Sequence, residues 1–543
     1  MNAMNELERW LEKATDEEIK KELLSIKDNS SEIEDRFYKA LSFGTGGLRG
    51  VIGAGTNRMN VYSVAKATVG LADYLKESGG TSVVIAYDSR NKSSTFARLS
   101  AEIMSYKGIR AYLFPELTPT PVLSFAVRHL HADAGIVITA SHNPKEYNGY
   151  KVYNAYGCQI TDEAAATITD KINRCDYFDP FVPNEALILN VDTSVQSAFI
   201  DAIKQFSLSR IDRNNAPTIV YSPLNGTGRT YVQMILREIG IERLYTVKEQ
   251  ELPDGNFTTC PYPNPEEKEA LSLALRDATL HKADLVMVTD PDADRIGIAV
   301  PNENGEYVLL NGNETGSILL YYILLKKREC GTLSQDATVI KTIVTTDIIH
   351  DMAREFGIAV TEVLTGFKYI GEALDKTEEY LLGLEESYGY LVGTHARDKD
   401  AVSAAMLIAE ACAYFKGKGQ TLLEVLAEIY ERYGYYQTVL RSISMPGKDG
   451  MEKMKRILNQ IRQSPPKTID GQALTFDDFG SGIYGLPKSD VLRFQSKDLR
   501  MIIRPSGTEP KMKIYLQAKG TSRQNAEEKI ARELTFLESL TAN

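Results

Sequence analysis

Four short segments join reactive side chains to the prolines and glycines of tight turns. T-A-S-H-N-P occupies 139–144 and directly follows the apolar run 136–138. A serine at a strand's end, ahead of a proline that blocks regular pairing, is presented on a turn. That suits a nucleophile, and equally a plain Ser/Asn/Pro turn. The G-x-S-x-G elbow of serine hydrolases is absent, and His142 stands too near Ser141 in sequence to expect a catalytic triad. D-P-D-A-D-R at 290–295 follows the apolar run 285–288 and sets Asp290, Asp292 and Asp294 at alternate positions. Such carboxylates repel one another unless a cation lies among them, and hard oxygen donors suit Mg²⁺ or Ca²⁺. An EF-hand would need glycine where Arg295 stands and glutamate where Pro301 stands. A solvated acidic turn is a further reading. So is an aspartyl nucleophile of the haloacid-dehalogenase kind, which would want Thr or Val at Asp294. G-L-E-E-S-Y-G at 383–389 offers two carboxylates and a hydroxyl between glycines, acceptors for paired sugar hydroxyls. R-P-S-G-T at 504–508 follows the run 499–503 and brings a guanidinium fork, two hydroxyl donors and a glycine that admits an anion to backbone N–H groups. It reads as a phosphate cradle without the Gly-Lys-Ser/Thr of a Walker loop.

These segments need elements to hold them. Leu7, Trp10 and Leu11, then Ile19, Leu23 and Leu24, recur at three- and four-residue spacing between charges, which predicts helices over the first forty residues. After Gly44, short apolar runs at 82–87 and 135–139 alternate with helical periodicity, the pattern of an α/β fold. The layout returns at 217–221 and 284–289, and again at 338–344 and 358–363. Helical stretches at 316–327 and 401–414 lie between, and a last helix runs from Ser522. Boundaries near 210, 310 and 445 divide the chain into 1–210 with the serine loop, 211–310 with the triple-aspartate loop, 311–445 with the E-E-S loop and 446–543 with the R-P-S-G-T loop.

The 543 residues carry 62 Lys+Arg against 73 Asp+Glu, a net charge of −11, with 43% hydrophobic and 25% charged residues. That is an ordinary globular composition, and its acidity argues against a nucleic-acid partner. The longest apolar run, 317–325, falls far short of the roughly 20 residues of a bilayer span, and residues 1–13 hold no apolar stretch of signal-peptide type. Cys158, Cys175, Cys260, Cys330 and Cys412 are scattered and never form C-x-x-C. They exclude a disulfide framework or zinc ribbon and predict free thiols in a cytoplasmic protein. No segment carries a heptad interface, so a monomer is expected.

Taken together, T-A-S-H-N-P, D-P-D-A-D-R, E-E-S and R-P-S-G-T resemble the α-D-phosphohexomutase superfamily of phosphoglucomutases and phosphomannomutases. They stand in the family's order at family-like separations, and the resemblance spans about 41 to 520. F-G-T-G-G-L-R-G at 43–50 resembles the family's opening loop. The resemblance implies an α/β molecule of four domains around a central cleft, the first three of mixed sheet-and-helix layout and the fourth a smaller α+β domain. It implies phosphorylation of Ser141, with Asp290, Asp292, Asp294 and a phosphoserine oxygen around one Mg²⁺ and Arg295 supporting the phosphate. Arg49 would help hold substrate, Glu385 and Ser387 would read sugar hydroxyls, and Arg504, Ser506, Gly507, Thr508 and Lys513 would grip the non-reacting phosphate. Lys151 resembles the family's acid–base lysine, with His142 a second candidate. Thr365-Gly366 resembles a turn contacting the sugar, and Lys399 a cleft lysine.

The implied chemistry is a mutase cycle: phosphoserine phosphorylates a sugar monophosphate, the bisphosphate turns over within the cleft, and its other phosphate returns to Ser141. Glucose 1,6-bisphosphate would prime the enzyme. Glu385-Glu-Ser387 resembles the phosphoglucomutase version of the specificity loop, so glucose 1-phosphate and glucose 6-phosphate are the expected pair. Phosphomannomutase and phosphopentomutase activity are the alternatives, the long form resembling a subgroup that includes phosphopentomutases. A non-catalytic phosphosugar-binding protein is the rival from another class. Pro291 and Ala293 stand where many relatives have glycines, and Lys145-Glu-Tyr147 is bulkier than usual after the serine loop.

Overall fold

The computed structural model describes residues 2–445, 447–469, 471–505 and 511–541. Three helices open the chain, Ala3–Lys13, Glu17–Ile26 and Ser30–Phe37. Each begins where Asn2, Asp16 or Asn29 accepts a hydrogen bond from a first-turn N–H. Their apolar stripes close over Trp10, whose indole meets Phe37, Tyr62 and Phe178 near edge-on at 5.8, 5.3 and 5.4 Å.

Four main sheets follow. The first has the spatial order Leu48–Val51, Tyr147–Asn154, Ala134–Ile138, Ser82–Tyr87, Arg110–Leu113, Ile188–Asn190. The second runs Tyr307–Leu310, Ile296–Pro301, Leu285–Thr289, Ile219–Ser222, Leu244–Thr246, and the third Ala359–Val363, Ala337–Thr342, Glu379–Glu385, Gly389–Val392. Central pairs in these three are parallel, with an antiparallel strand beyond them. The fourth sheet is antiparallel throughout: Tyr435–Ser444, Lys511–Gly520, Leu499–Pro505, Leu492–Gln495, Thr475–Asp478.

One topological device recurs. A central strand ends, the chain turns, and an antiparallel neighbour returns: Ala134–Ile138 to Tyr147–Asn154, Leu285–Thr289 to Ile296–Pro301, Glu379–Glu385 to Gly389–Val392, Leu499–Pro505 to Lys511–Gly520. The serine, triple-aspartate and E-E-S segments are each the connection of one such pair, and Arg504 and Pro505 end the first strand of the fourth pair. In the first three, the turn holds one non-glycine residue in the left-handed region, Ser141 (φ +52°), Ala293 (φ +50°) and Tyr388 (φ +65°). Each such residue costs on the order of 1–3 kcal/mol, which the buried strands on either side must overcome.

The first three units share a continuous apolar core in which Phe199, Tyr221 and Leu384 take part, and the helix Ala401–Lys416 is buried along nearly its whole length. The fourth unit has its own core around Ile503, Ile514 and Leu516. It meets the third through a small apolar cluster, including Val344, Phe479 and Ile502, and through a charge network. In that network Asp347 and Glu362 face Lys341 from their own unit and Arg500 from the fourth, while Arg493 reaches Glu362. Asp347, His350 and Glu362 are near enough to hold a metal ion, but Lys341 and the arginines already supply the cations.

The first strand of the fourth sheet, Tyr435–Ser444, lies ahead of residue 446, where the sequence predicts that unit to begin. Its side chains are half-buried or exposed along its length, so it carries no apolar alternation; ten register pairs with Lys511–Gly520 recruit it. Among the described residues, no helix is long and apolar enough to cross a membrane.

Candidate active site

Ser141 stands at the turn after Ala134–Ile138, where Thr139 Oγ1 accepts from its N–H at 2.8 Å. Its Oγ donates to Asp290 Oδ2 at 2.6 Å and lies 3.3 Å from His142 Nδ1. The neighbours do meet, but the serine hydroxyl is given to a carboxylate of the second unit. Enclosure in the cleft, with Arg295 and Arg49 nearby, holds the His142 imidazole well below its ordinary range and therefore neutral.

The D-P-D-A-D-R turn folds on itself. Asp290 Oδ1 accepts the N–H groups of Asp294 and Arg295 at 3.1 and 3.0 Å, and Ala293 adopts the left-handed conformation. That conformation favours glycine; here the methyl group of Ala293 is accommodated. Gly226 packs so close that a Cβ there would lie 2.4 Å from Pro291 Cα. All three carboxylates are fully buried. Asp292 Oδ2 accepts from Lys151 Nζ at 2.8 Å and from Thr120 Oγ1 at 2.8 Å. Asp294 Oδ2 lies 3.3 Å from Lys151 Nζ and 2.9 Å from Lys399 Nζ.

This arrangement tests the fit of a cation. Asp292 Oδ1 and Asp294 Oδ1 are buried without a hydrogen-bond partner, and one oxygen from each of the three aspartates falls within 4.8 Å of the others. Burial, with Asp292 and Asp294 alongside, pushes the Asp290 carboxyl well above the usual range. Burial also opposes ionisation of Asp292, but the Lys151 ammonium outweighs it and keeps that carboxyl below the usual range. An all-oxygen donor set with two orphaned carboxylate atoms suits one hard divalent cation.

The other units close the site. Lys151 lies on Tyr147–Asn154 and Arg49 on the neighbouring Leu48–Val51, with Arg49 Nη1 donating to Asn143 Oδ1 at 3.1 Å. Glu385 ends its strand, and its Oε1 accepts the N–H of Gly366 at 2.9 Å. Gly366 has φ +124°, a backbone conformation that favours glycine. Burial raises the Glu385 carboxyl, and burial beside Glu385 pushes Glu386 up to about 7. Lys399 precedes the helix Ala401–Lys416; burial opposes its charge, but Asp294 and Asp398 hold it as an ammonium. Arg504 and Lys513 are cross-strand partners in the fourth sheet, and burial beside Arg504 lowers Lys513.

One cleft of about 720 Å³ is lined by residues of all four units. Ser141, His142, Lys151, Asp294 and Arg295 line its floor side, with Arg49, Thr365, Gly366, Glu385, Ser387, Lys399, Arg504 and Lys513 around them. Asp290 and Asp292 lie beneath. Ser506, Gly507 and Thr508 fall outside the described residues.

Three side chains that support the site escape a reading of motifs. Arg90 is buried with Asp88 and donates to the carbonyl oxygens of Ser141 and Asn143 at 2.5 Å, Pro144 at 2.8 Å and Tyr147 at 3.2 Å. It therefore holds the whole serine loop. Its signal was available, since D-S-R at 88–90 follows a buried strand as the other loops do. Thr120 shows only as the start of the helix Thr120–His129. Glu266 accepts from Arg295 Nη1 at 3.1 Å and carries no sequence signal.

Four domain profiles of one family match the chain: phosphoglucomutase/phosphomannomutase alpha/beta/alpha domains I, II and III over residues 40–178, 197–305 and 311–433, and the C-terminal domain over 445–533. The chain belongs to the phosphoglucomutase/phosphomannomutase family. Within the family it is 35% identical over 507 residues to a phosphoglucomutase of Staphylococcus haemolyticus, covering 89% of this chain and 91% of that protein. An open-form phosphoglucomutase (parafusin) from Paramecium shares the fold with a TM-score of 0.70 at 18% identity, over 93% of this chain and 97% of that one. An N-acetylphosphoglucosamine mutase of Aspergillus fumigatus, in complex with GlcNAc-6P and magnesium, aligns with a TM-score of 0.52 at 14% identity, over 93% and 96% of the chains. Family membership makes the chain an isomerase of phosphosugars, and the four-domain α/β architecture is the family's own.

Proposed function

We propose that the protein interconverts glucose 1-phosphate and glucose 6-phosphate through phospho-Ser141 and a glucose 1,6-bisphosphate intermediate. The observation that carries this reading is the pairing of Ser141 Oγ with Asp290 Oδ2 at 2.6 Å, in a cleft whose far side presents Arg504 and Lys513. A phosphoryl group on Ser141 and a second phosphate at the fourth domain then bracket one sugar. The curated relative's name, phosphoglucomutase, supports glucose as that sugar.

Asp290, Asp292 and Asp294, with an oxygen on Ser141, would hold one Mg²⁺, which supplies Lewis-acid neutralisation of charge on the transferring group. The protein's own groups do the rest. In the first transfer the phosphorus–Oγ bond of phospho-Ser141 breaks as a bond to the free sugar hydroxyl oxygen forms. Phosphoryl transfer runs through a loose transition state, so the incoming hydroxyl needs little prior deprotonation. Burial opposes the charge of Lys151, but Asp292 and Asp294 hold it as an ammonium; it hydrogen-bonds the sugar oxygen, whose proton passes to the neutral His142 imidazole as the new bond forms and from there to Ser141 Oγ as the phosphoryl group leaves it. His142, neutral and 3.3 Å from Ser141 Oγ, handles the proton at the serine. Arg295 steadies the phosphoryl oxygens, and Glu385 and Ser387 read the ring hydroxyls. Arg49, Lys399, Arg504 and Lys513 set a positive potential inside an acidic surface. The enzyme acts on small sugar phosphates as a cytoplasmic monomer, a placement supported by its five free cysteines.

Intact-mass spectrometry tests the mechanism: incubation with glucose 1,6-bisphosphate and Mg²⁺ is expected to add one phosphate to the wild type and none to Ser141→Ala, which also loses mutase turnover. Near-normal turnover by Ser141→Ala refutes it. In a panel of glucose, mannose, ribose and glucosamine phosphates, glucose 1-phosphate is expected to give the highest kcat/KM. A lead by ribose 1-phosphate of about tenfold, some 1.4 kcal/mol, would move the assignment to phosphopentomutase.

A further inference from the structure

Arg295 is held at both ends by groups outside its own turn. Its backbone bridges to Gly389 of the third unit, and the next N–H, of Ile296, donates to Tyr388 O at 3.2 Å. Its side chain reaches into the cleft, where Nη1 donates to Glu266 Oε1 at 3.1 Å. The opposite edge is uncommitted: Nε is buried with no hydrogen-bond partner, and Asp294 Oδ1 lies beyond hydrogen-bond reach at 3.8 Å. A half-buried guanidinium with one edge fixed and a buried, unpaired Nε on the other is arranged for an incoming acceptor oxygen.

The fixed edge depends on a rigid loop. Asn264 Oδ1 accepts the N–H of Glu266 at 3.2 Å, and Asn264 O accepts that of Glu267 at 3.0 Å. Pro265 presses on the strand that Arg295 precedes, so closely that a Cβ at Gly297 would lie 2.7 Å from Pro265 O. Glu266 is thus anchored beside Arg295 rather than waving from the surface. Asp294, 3.8 Å away, already attracts the guanidinium most strongly, and Glu266, within hydrogen-bond distance on the other side, is the acceptor that pulls against it. Without Glu266, Arg295 would swing onto the aspartate triad, occupying Asp294 Oδ1, one of the two orphaned atoms that suit a cation.

We propose that Glu266 is a positioning residue for the mutase reaction: it holds Arg295 off the aspartate triad and aims the vacant Nε edge at the phosphoryl group on Ser141. This rests on the mutase reading above. Its chemistry is a carboxylate–guanidinium pair in which one oxygen fixes the plane of the fork. Glutamine keeps an acceptor oxygen there, whereas alanine keeps none.

The test compares Glu266→Ala, Glu266→Gln and Glu266→Ala/Arg295→Met with the wild type, by kinetics and by calorimetric titration with Mg²⁺ alone. Glu266→Ala is expected to lower kcat about 10- to 100-fold with KM for glucose 1-phosphate within about threefold, and Glu266→Gln to stay within about fivefold of wild-type kcat. In the titration Glu266→Ala is expected to weaken Mg²⁺ binding about three- to tenfold, and the added Arg295→Met to restore it, because the competing cation is gone. A kcat for Glu266→Ala within about twofold of wild type, equal losses in the Ala and Gln variants, or unchanged Mg²⁺ affinity overturns the assignment. A wild type without mutase turnover would instead fail the functional reading, and the Mg²⁺ titration would still decide the role of Glu266.

Discussion

Arg90 lends itself to a worked prediction. Its guanidinium is buried, pairs with Asp88 across 3.3 Å, and donates to four carbonyl oxygens of the serine loop. Asp88 in turn accepts from Ser93 Oγ at 2.7 Å and from the Arg90 N–H at 2.9 Å. Replacing Arg90 by methionine keeps much of the volume and removes every one of those donors. Removing one partner of a buried ion pair typically costs about 3–5 kcal/mol, and each orphaned carbonyl adds about 1–3 kcal/mol. The terms overlap, because the loop can relax toward water, so the expected loss for Arg90→Met is about 4–6 kcal/mol. The double variant Asp88→Asn/Arg90→Met leaves no buried charge, and Asn can still accept from Ser93 Oγ; it should recover about 2 kcal/mol of that loss. The deficit of the single variant should also shrink on acidification. Burial already raises Asp88, which Arg90 pulls back down; without Arg90 the carboxyl takes a proton at higher pH, and stability falls as pH rises through that value. Urea unfolding followed by fluorescence of Trp10, the chain's single tryptophan, reports on the first domain, since Trp10 packs on Tyr62. A loss below about 1 kcal/mol, or a double variant no better than the single, would refute the reasoning.

Other outcomes are expected from the same structure. Saturating Mg²⁺ should raise the thermal midpoint of the wild type, by about 2.7 kcal/mol of binding linkage at 100 times Kd, and Asp292→Asn should abolish the rise in scanning calorimetry. Glu533 is buried and its carboxyl is pushed up to about 9 by burial. It therefore costs stability progressively as pH rises from about 4 to 9, and Glu533→Gln should stabilise the protein at pH 7 by up to roughly 3 kcal/mol, with no gain in acid. Burial opposes ionisation of Glu362 and Asp347, but the facing Lys341 and Arg500 hold both carboxyls below the usual range. Their stabilisation is present above the unfolded value near pH 4 and is lost as pH falls through the folded values. Acid should therefore detach the fourth unit first, as pH falls well below about 4 toward those folded values, read as an increase in radius of gyration by small-angle scattering; an unchanged radius down to about pH 2 would contradict the network's role.

Local patterns were legible where a residue's neighbours in sequence are also its partners in space. The strand 284–289 and the carboxylates after it could be read together, because a buried apolar run ending in alternate aspartates is one local event. One helix start was legible for the same reason, at Ala401, ahead of which the Asp400 side chain accepts from Val402 and Ser403 N–H, whereas the stretch read from 316 begins at Gly312. The hairpin form of each reactive turn was not, because antiparallel return depends on pairing that no window of sequence contains. Tyr435–Ser444 was missed as part of the last sheet since its register partners lie 67 to 85 residues on. Thr120, Arg90 and Glu266 act across 172, 51 to 57 and 29 residues of chain. Each is an ordinary surface-type residue until the fold brings it to a loop that it serves.

The charge balance of the aspartate triad bears on how such a molecule can be inherited. Three sheets of similar layout invite the thought of interchangeable modules. Yet the carboxylates come from the second unit, Lys151 and Thr120 from the first, and Lys399 from the third. A second unit exchanged for that of a distant relative would arrive with its negative charges and without the ammonium groups set against them. The modules repeat in shape but not in sign, so recombination between them is expected to yield folded chimaeras that do not work.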